Sequence, residues 1–167
     1  MKPKLSCILL VDDDKNCHFF HRRIIMLTDC AEYIQEAFNG AEALDYLKNC
    51  RDGRQPWPEL ILLDVNMPKM NGWEFLDVFQ TFSDAEKSQT ILIVLTSSLN
   101  PDDLERALQI PGVKGYENKI FTKGNFRKLL DLHFPHYHKS EQACFLDTTE
   151  FRNGRSTKDS AGSTVGG

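Results

Sequence analysis

Short apolar segments recur along the chain and limit its fold more than any other feature of the sequence. The strongest are LSCILLV at residues 5–11, LILL at 60–63 and ILIVL at 91–95. They are rich in Leu and β-branched residues and too short for helices, which favours strands buried on both faces, as in a parallel sheet. Residues 31–38 and 112–118 are weaker candidates, so five strands are predicted.

Amphipathic segments with helical spacing separate the predicted strands. Helices are predicted over residues 15–28, 41–50 and 71–82, after Asn100 and after Thr122, where the last two residues can act as N-caps. Strands and helices that alternate through right-handed crossovers form an open parallel sheet with helices on both faces. The side chains predicted to face the core are Phe20, Ile24 and Leu27 in the first helix, Ala43, Leu44 and Leu47 in the second, Phe75, Leu76 and Phe79 in the third, Leu104, Ala107 and Leu108 in the fourth, and Phe126, Leu129 and Leu130 in the fifth.

Length, charge and cysteine content narrow the class of protein. The chain has 167 residues, 41% of them hydrophobic, which suits one domain with a sizeable core. Its net charge of −4 and the lack of a long Lys or Arg run disfavour nucleic acid as a partner. Five cysteines without a C-x-x-C pair indicate free thiols in a reducing cytoplasm. No apolar stretch reaches membrane-spanning length, and the first one ends in three aspartates, which a signal peptide would not tolerate.

The regular pattern of the sequence ends at Pro135. Residues 135–167 are polar and become rich in Gly, Ser and Thr toward the end. We therefore predict a folded domain over residues 1–134 and a largely disordered polar tail over 135–167. Whether the apolar tail residues around Phe145 and Phe151 dock on the domain stays open.

Polar and charged side chains stand at the predicted carboxyl ends of the strands. In a doubly wound sheet these ends share one edge, where functional groups collect. Clustered carboxylates repel one another, and Mg²⁺, which binds oxygen ligands and commonly phosphate oxygens as well, relieves that repulsion. The sequence therefore indicates a magnesium site that works on a phosphoryl group. The residues at this edge are Asp12, Asp13 and Asp14 after the first strand, Asp64 after the third, Thr96, Ser97 and Ser98 after the fourth, and Lys119 after the fifth.

Four motifs, ILLVDDD, LILLDVNMPKMNGWEFL, ILIVLTSS and GYENKIF, follow one another along the chain. Together they resemble the receiver domain of two-component response regulators, and the single-domain chemotaxis receiver is the nearest small counterpart. The likeness covers about residues 5–134 and is specific because all four motifs occur in order. It implies a flavodoxin-like fold, an α/β structure with a five-stranded parallel sheet in the order 2-1-3-4-5 and helices on both faces.

The resemblance also implies how the acidic residues act. Asp64 would be the phosphoacceptor, a carboxylate nucleophile that attacks phosphorus carried on a kinase histidine. Asp12, Asp13, Asp64 and the backbone carbonyl of Asn66 would bind Mg²⁺. Such a chain takes part in a phosphorelay as a signalling phosphoacceptor; it is not an enzyme beyond its own phosphorylation and dephosphorylation.

Signalling roles follow from the same resemblance for Thr96, Tyr116 and Lys119. Lys119 and Thr96 would contact the phosphoryl oxygens, and Thr96 and Tyr116 would form the switch. Phosphorylation would shift an existing equilibrium at the face formed by the fourth predicted helix, the fifth strand and the fifth helix. The implied partners are a sensor histidine kinase or phosphotransfer protein and a downstream protein; nucleic acid and membrane are not expected, and a homodimer stays open.

One position departs from the receiver pattern. Receivers usually carry Lys-Pro after the fifth strand, with a cis peptide that aims the lysine, whereas Ile120 follows Lys119 here. A cis bond before a non-proline residue costs about 2.5–4 kcal/mol. We therefore predict either a trans bond with an adjusted loop or a strained cis bond, and the trans case puts the reach of Lys119 toward the phosphoryl group in question.

Two other functions remain open from the sequence. Asp12 and Asp14 form a D-x-D pair, as in phosphatases of the haloacid dehalogenase type, where Asp12 would be the nucleophile. A degenerate receiver that binds partners without phosphorylation is the second alternative. Asp14 itself is better explained as a turn former or helix cap. The three histidines of HFPHYH, residues 133–138, are better explained as a polar surface group than as metal ligands.

Overall fold

A five-stranded, all-parallel sheet in the order β2-β1-β3-β4-β5 forms the centre of the molecule. The computed structural model describes residues 3–97 and 100–137. The flavodoxin-like strand order and the doubly wound α/β fold predicted from the sequence are confirmed. The strands are β1 (Leu5–Val11), β2 (Ala31–Ala37), β3 (Leu60–Asp64), β4 (Ile91–Thr96) and β5 (Val113–Asn118).

The described part of the chain has six helices, one more than predicted, of which five lie between strands and the last follows β5. The additional helix is the short segment Asp84–Ser88. It begins with a capping box formed by Ser83 and Glu86. Asp14, Asn100 and Thr122 are N-caps, as the sequence predicts. The helices are α1 (Lys15–Thr28), α2 (Gly40–Arg51), α3 (Gly72–Gln80), α4 (Asp84–Ser88), α5 (Pro101–Gln109) and α6 (Lys123–His133).

The core has two halves, one on each face of the sheet. Alternate residues of β1 enter opposite halves, so that Leu9 packs with α2, α3 and α5 while Ile8 packs with α1 and α6. The predicted inward residues of α2, α3 and α6 are all buried. This arrangement leaves the carboxyl edge of the sheet as the place where loops converge.

The predicted inward faces of α1 and α5 are wrong in part: Ile24 is half-buried against the core and Ala107 is buried, as predicted, but the other four residues are exposed. Phe20 and Leu27 of α1 are 61% and 57% exposed, and the helix buries His18, His21 and Ile25 instead. The reason is that both histidine rings find backbone carbonyls to bond, which removes the penalty for burying a polar group. In α5 only Ala107 is buried, and its two leucines, Leu104 and Leu108, are exposed.

The chain continues to pack after α6. Tyr137 packs against the half of the core that contains α1 and α6, and its hydroxyl donates a hydrogen bond of 3.0 Å to Glu59. The predicted disorder of the tail beyond residue 137 and the open question of docking around Phe145 and Phe151 concern residues outside the described part of the chain. The longest described helix, α1, has 14 residues, and no helix in this part of the chain combines the length and the apolar character that crossing a membrane requires.

Candidate functional site

Three aspartates meet at the carboxyl edge of the sheet. β1 and β3 are neighbours, so the residues that follow β1 lie beside the end of β3. Ligand oxygens of Asp12, Asp13 and Asp64 all lie within 4.8 Å of one another. Asp12 and Asp64 are each only 2% exposed, whereas Asp13 faces solvent. The structure thus brings together the three carboxylates that the sequence places at this edge.

The ammonium of Lys119 lies between two of these carboxylates. Its Nζ is 3.0 Å from Oδ2 of Asp64 and 3.1 Å from Oδ1 of Asp12. No cis peptide bond occurs among the described residues, so the bond between Lys119 and Ile120 is trans. Of the two predicted alternatives, the trans bond is the one present, and Lys119 reaches the acidic residues nevertheless.

Burial and charge act against each other at the site. Desolvation raises the pKa of the Asp12 and Asp64 carboxyls above its usual range, and Lys119 opposes this rise. Burial on its own would lower the pKa of Lys119, but its contacts with Asp64 and Asp12 outweigh burial and raise it. Three ionised carboxylates and one ammonium leave two negative charges, which suits a divalent cation.

The oxygens of Asp12 support a metal site specifically. Oδ1 accepts a hydrogen bond from the backbone N–H of Asp14 at 2.8 Å, in addition to its contact with Lys119. Oδ2 is buried and has no hydrogen-bond partner within the described residues. A buried acceptor without a donor costs about 1–3 kcal/mol, which coordination by a hard cation removes. The donor set therefore fits Mg²⁺.

The loop after β3 holds Asp64 in place. The backbone N–H of Asn66 donates a hydrogen bond of 3.2 Å to Oδ1 of Asp64. Gly72, at the start of α3, packs so closely that a Cβ there would lie 2.5 Å from the Asp64 carbonyl oxygen. Its N–H also bonds to the carbonyl of Val65 at 3.0 Å. The glycine of the NMPKMNG motif is thus required for the loop to close behind Asp64.

Thr96 and Tyr116 lie on the two strands next to the acidic residues. Thr96 is the last residue of β4, is fully buried and is paired with Asn118 of β5. Tyr116 is half-buried on β5 and packs against the core beside α5. Thr96 accordingly stands at the carboxyl edge, whereas Tyr116 stands two residues before the end of its strand.

Two buried histidines are the site-associated residues that sequence reasoning missed. Nε2 of His18 lies 2.7 Å from the carbonyl oxygen of Asp12, and Nε2 of His21 lies 2.7 Å from that of Lys119. Their spacing of three residues on one helix, directly after the first acidic motif, was the available signal. His133 is half-buried and His136 exposed, neither belongs to the acidic cluster, and His138 lies outside the described residues.

Fold and site together define a flavodoxin-like α/β protein with an acidic pocket and a lysine at the carboxyl edge of its sheet. Over residues 8–131 the sequence matches the response regulator receiver domain family, and the chain belongs to this family. Receiver domains act in signalling and not as classical enzymes, and they generally bind Mg²⁺ at an acidic pocket. The predicted family is confirmed.

Similar proteins of known structure and sequence agree with this assignment. A two-component response regulator from Cytophaga hutchinsonii is 34% identical, with a TM-score of 0.71 over 79% of this chain and 98% of that one. The chemotaxis response regulator CheY4 of Vibrio cholerae, 23% identical with a TM-score of 0.61 over 78% of this chain and 99% of its own, shares the fold. The nitrate/nitrite response regulator NarL of Escherichia coli K12 is 34% identical over 75% of this chain. The chain spans 53% of NarL and 17% of the transcription factor SKN7 from Chaetomium thermophilum.

Proposed function

We propose that the chain accepts a phosphoryl group on Asp64 from a histidine kinase or phosphotransfer protein and signals through altered protein contacts. The observation that carries this proposal is the position of Asp64, a buried carboxylate at the end of β3 that lies within reach of two other carboxylates and of Lys119. A strand-terminal turn former would need none of these neighbours.

The proposed reaction is a transfer between two side chains. A carboxylate oxygen of Asp64 attacks phosphorus, the bond from phosphorus to the donor's imidazole nitrogen breaks, and its electron pair leaves with the imidazole. The product is an acyl phosphate on Asp64. Mg²⁺, held by Asp12, Asp13, Asp64 and the Asn66 carbonyl, would supply neutralisation of the phosphoryl oxygens.

Lys119 and Thr96 are the remaining polar groups of the proposed site. The Lys119 ammonium already contacts one carboxylate oxygen each of Asp64 and Asp12. It therefore needs only a small shift to reach an oxygen of a phosphoryl group on Asp64. The Thr96 hydroxyl would donate to another phosphoryl oxygen from the end of β4. Movement of Thr96 toward the phosphate would leave space that the ring of Tyr116 fills, which couples the site to the outer surface of β5.

Exposed apolar side chains support protein partners on two surfaces. Phe19, Met26 and Leu27 of α1 line a shallow depression together with Arg22. The N-terminus of α1 directly follows the acidic residues, so this surface suits the phosphoryl donor. The leucines of α5 that were predicted to face the core are exposed beside β5 and suit the downstream protein.

The two alternatives from the sequence are less well supported. In the phosphatase alternative Asp12 is the nucleophile and Asp14 completes the D-x-D pair, but the Asp14 carboxylate caps α1 by accepting a hydrogen bond from the backbone N–H of Asn16. A degenerate receiver would not need Lys119 between two carboxylates. A cytoplasmic location without nucleic-acid or membrane partners stays a prediction from the sequence. Whether the protein forms a homodimer stays open.

Intact-mass measurement tests this function directly. We expect the folded protein, incubated with acetyl phosphate and Mg²⁺, to gain the mass of one phosphoryl group, and we expect the gain to disappear when the metal is chelated. As a control, Asp84→Asn, which alters an exposed aspartate in α4, should gain the same phosphoryl mass as the wild type. A folded protein that gains no phosphoryl mass would favour the degenerate receiver and overturn the proposal.

A further inference from the structure

Helix α1 buries two histidines one turn apart, and each bonds to the backbone of a site residue. The rings of His18 and His21 lie 2.7 Å, through Nε2, from the carbonyl oxygens of Asp12 and Lys119. A carbonyl oxygen can only accept, so Nε2 carries the proton in both rings. Neither histidine has a part in the phosphoryl transfer described above, and burying a polar ring is unfavourable unless it is bonded.

The ring of His21 is held firmly. It stacks on Phe121 with ring centres 4.4 Å apart and an angle of 4° between the planes, and Phe121 stacks in turn on Phe126 of α6. Burial lowers the pKa of His21, which keeps the ring neutral near pH 7. The helix therefore presents a fixed, neutral hydrogen-bond donor to the loop that follows β5.

The peptide groups on both sides of Lys119 are bonded. Its N–H donates to the carbonyl of Thr96 at 2.7 Å, and its carbonyl accepts from His21. Ile120, which follows, is 85% exposed and contributes little packing to the loop. The backbone of Lys119 is thus fixed by β4 on one side and α1 on the other, at a position where the side chain enters between Asp12 and Asp64.

We propose that His21 is a positioning residue, whose bond to the Lys119 carbonyl aims the Lys119 ammonium at the phosphoacceptor in place of a proline after the lysine. The expected effect on phosphoryl transfer rests on the proposed function. The effect of His21 on the position of the Lys119 side chain does not. Misplacement of a charged group by about 1 Å can lower a rate roughly a hundredfold, so the loss of this bond has a measurable effect.

Substitutions can separate the bond from the packing of the ring. His21→Phe keeps an aromatic ring for stacking on Phe121 and removes the donor, His21→Leu is a second donor-free variant, and His21→Gln restores a donor. Ile25→Val shortens a fully buried side chain one turn further along α1, which packs in the hydrophobic core. It controls for lost stability, because removing a methyl group from a packed core leaves a small cavity and destabilises the fold modestly.

The first readout is the initial rate of phosphorylation by acetyl phosphate at saturating Mg²⁺, relative to the wild type. We expect both donor-free variants to fall roughly tenfold or more. His21→Gln should recover most of the rate, and Ile25→Val should retain it. Mg²⁺ affinity, measured by calorimetry without a phosphodonor, should not fall in His21→Phe, because Lys119 is not a ligand and its ammonium moves away from two ligand carboxylates. Donor-free variants that keep the wild-type rate, or lose no more than Ile25→Val, overturn the proposal.

The second readout does not depend on phosphorylation. In a crystal structure of His21→Phe or His21→Leu we expect the distance from Lys119 Nζ to Asp64 Oδ2 to exceed roughly 4 Å, the usual limit of an ion pair. An unchanged Lys119 overturns the positioning role, whatever the rates show. If the wild-type protein takes up no phosphoryl group while Lys119 moves in the variants, the proposed function fails and the positioning role stands.

Discussion

The ammonium of Lys119 lies 3.0 Å from Oδ2 of Asp64, although 55 residues separate them in the chain. β3 and β5 are not neighbours, since β4 lies between them. The contact therefore depends on the whole carboxyl edge of the sheet and on the loop after β5. It partly compensates the buried carboxylates, and it determines how the protein should respond to the loss of either charge.

Replacing Lys119 by Met should destabilise the metal-free protein by about 3 kcal/mol, because two buried carboxylates lose their shared cation. Mg²⁺ should recover part of this loss by taking over the neutralisation. Urea unfolding with and without millimolar Mg²⁺ measures both effects. Lys128→Met, which alters an exposed lysine of α6, should change stability little. An equal loss in both variants would contradict the compensating role of Lys119.

Asp13 is the exposed member of the acidic cluster, so its substitution separates metal binding from folding. A ligand that binds only the folded state raises stability with its concentration. We expect Asp13→Asn to leave the melting temperature of the metal-free protein nearly unchanged and to reduce the increase produced by Mg²⁺. Asp84→Asn should show the full increase. A wild-type increase in Asp13→Asn would remove Asp13 from the ligand set.

Gly72→Ala should destabilise the protein by about 1–3 kcal/mol, because the new methyl group would meet the backbone of Asp64. The matched substitution is Gly124→Ala in the first turn of α6, where the nearest atom lies 3.7 Å from an added Cβ. There alanine should be neutral or stabilising, since it favours helix over glycine. Chemical denaturation measures both, and a neutral Gly72→Ala would mean that the loop after β3 adjusts freely.

The pH dependence of stability should reveal His21. Because burial lowers its folded-state pKa below the unfolded value of about 6.5, its contribution is full above that pH and is lost as the pH falls. The unfolding free energy of the wild type should therefore decrease between about pH 7 and pH 5 more steeply than that of His21→Gln, by at most about 1.4 kcal/mol per pH unit. Saturating Mg²⁺ keeps the acidic cluster ionised in both proteins. Parallel profiles would contradict the burial of a neutral His21.

The strands and the acidic site were predictable because both depend on local signals. Apolar runs mark buried parallel strands, and the residues after them share an edge, so Asp12 and Asp64 could be placed together without coordinates. Which face of α1 is buried could not be predicted in this way. It depends on the Lys119 carbonyl, which lies 98 residues from His21 and becomes available only when β5 is in the sheet.

Other differences have similar physical causes. Leu104 and Leu108 have helical spacing that predicts an inward face, but Ala107 is the one residue of α5 that is buried. Leucines at helical spacing can face either the core or an exposed surface that binds a partner. The spacing alone does not distinguish the two. The sequence does not show whether Lys119 can contact Asp64 when the bond to Ile120 is trans. That contact depends on backbone hydrogen bonds that fix the loop after β5, such as the one from Lys119 N–H to Thr96.

The most direct test of the account is to identify the residue that carries the phosphoryl group. Borohydride reduction converts an aspartyl phosphate to homoserine, which peptide mass spectrometry locates after incubation with acetyl phosphate and Mg²⁺. We expect homoserine at position 64 and no phosphoryl uptake by Asp64→Ala. Homoserine at position 12, or uptake that persists in folded Asp64→Ala, would contradict it.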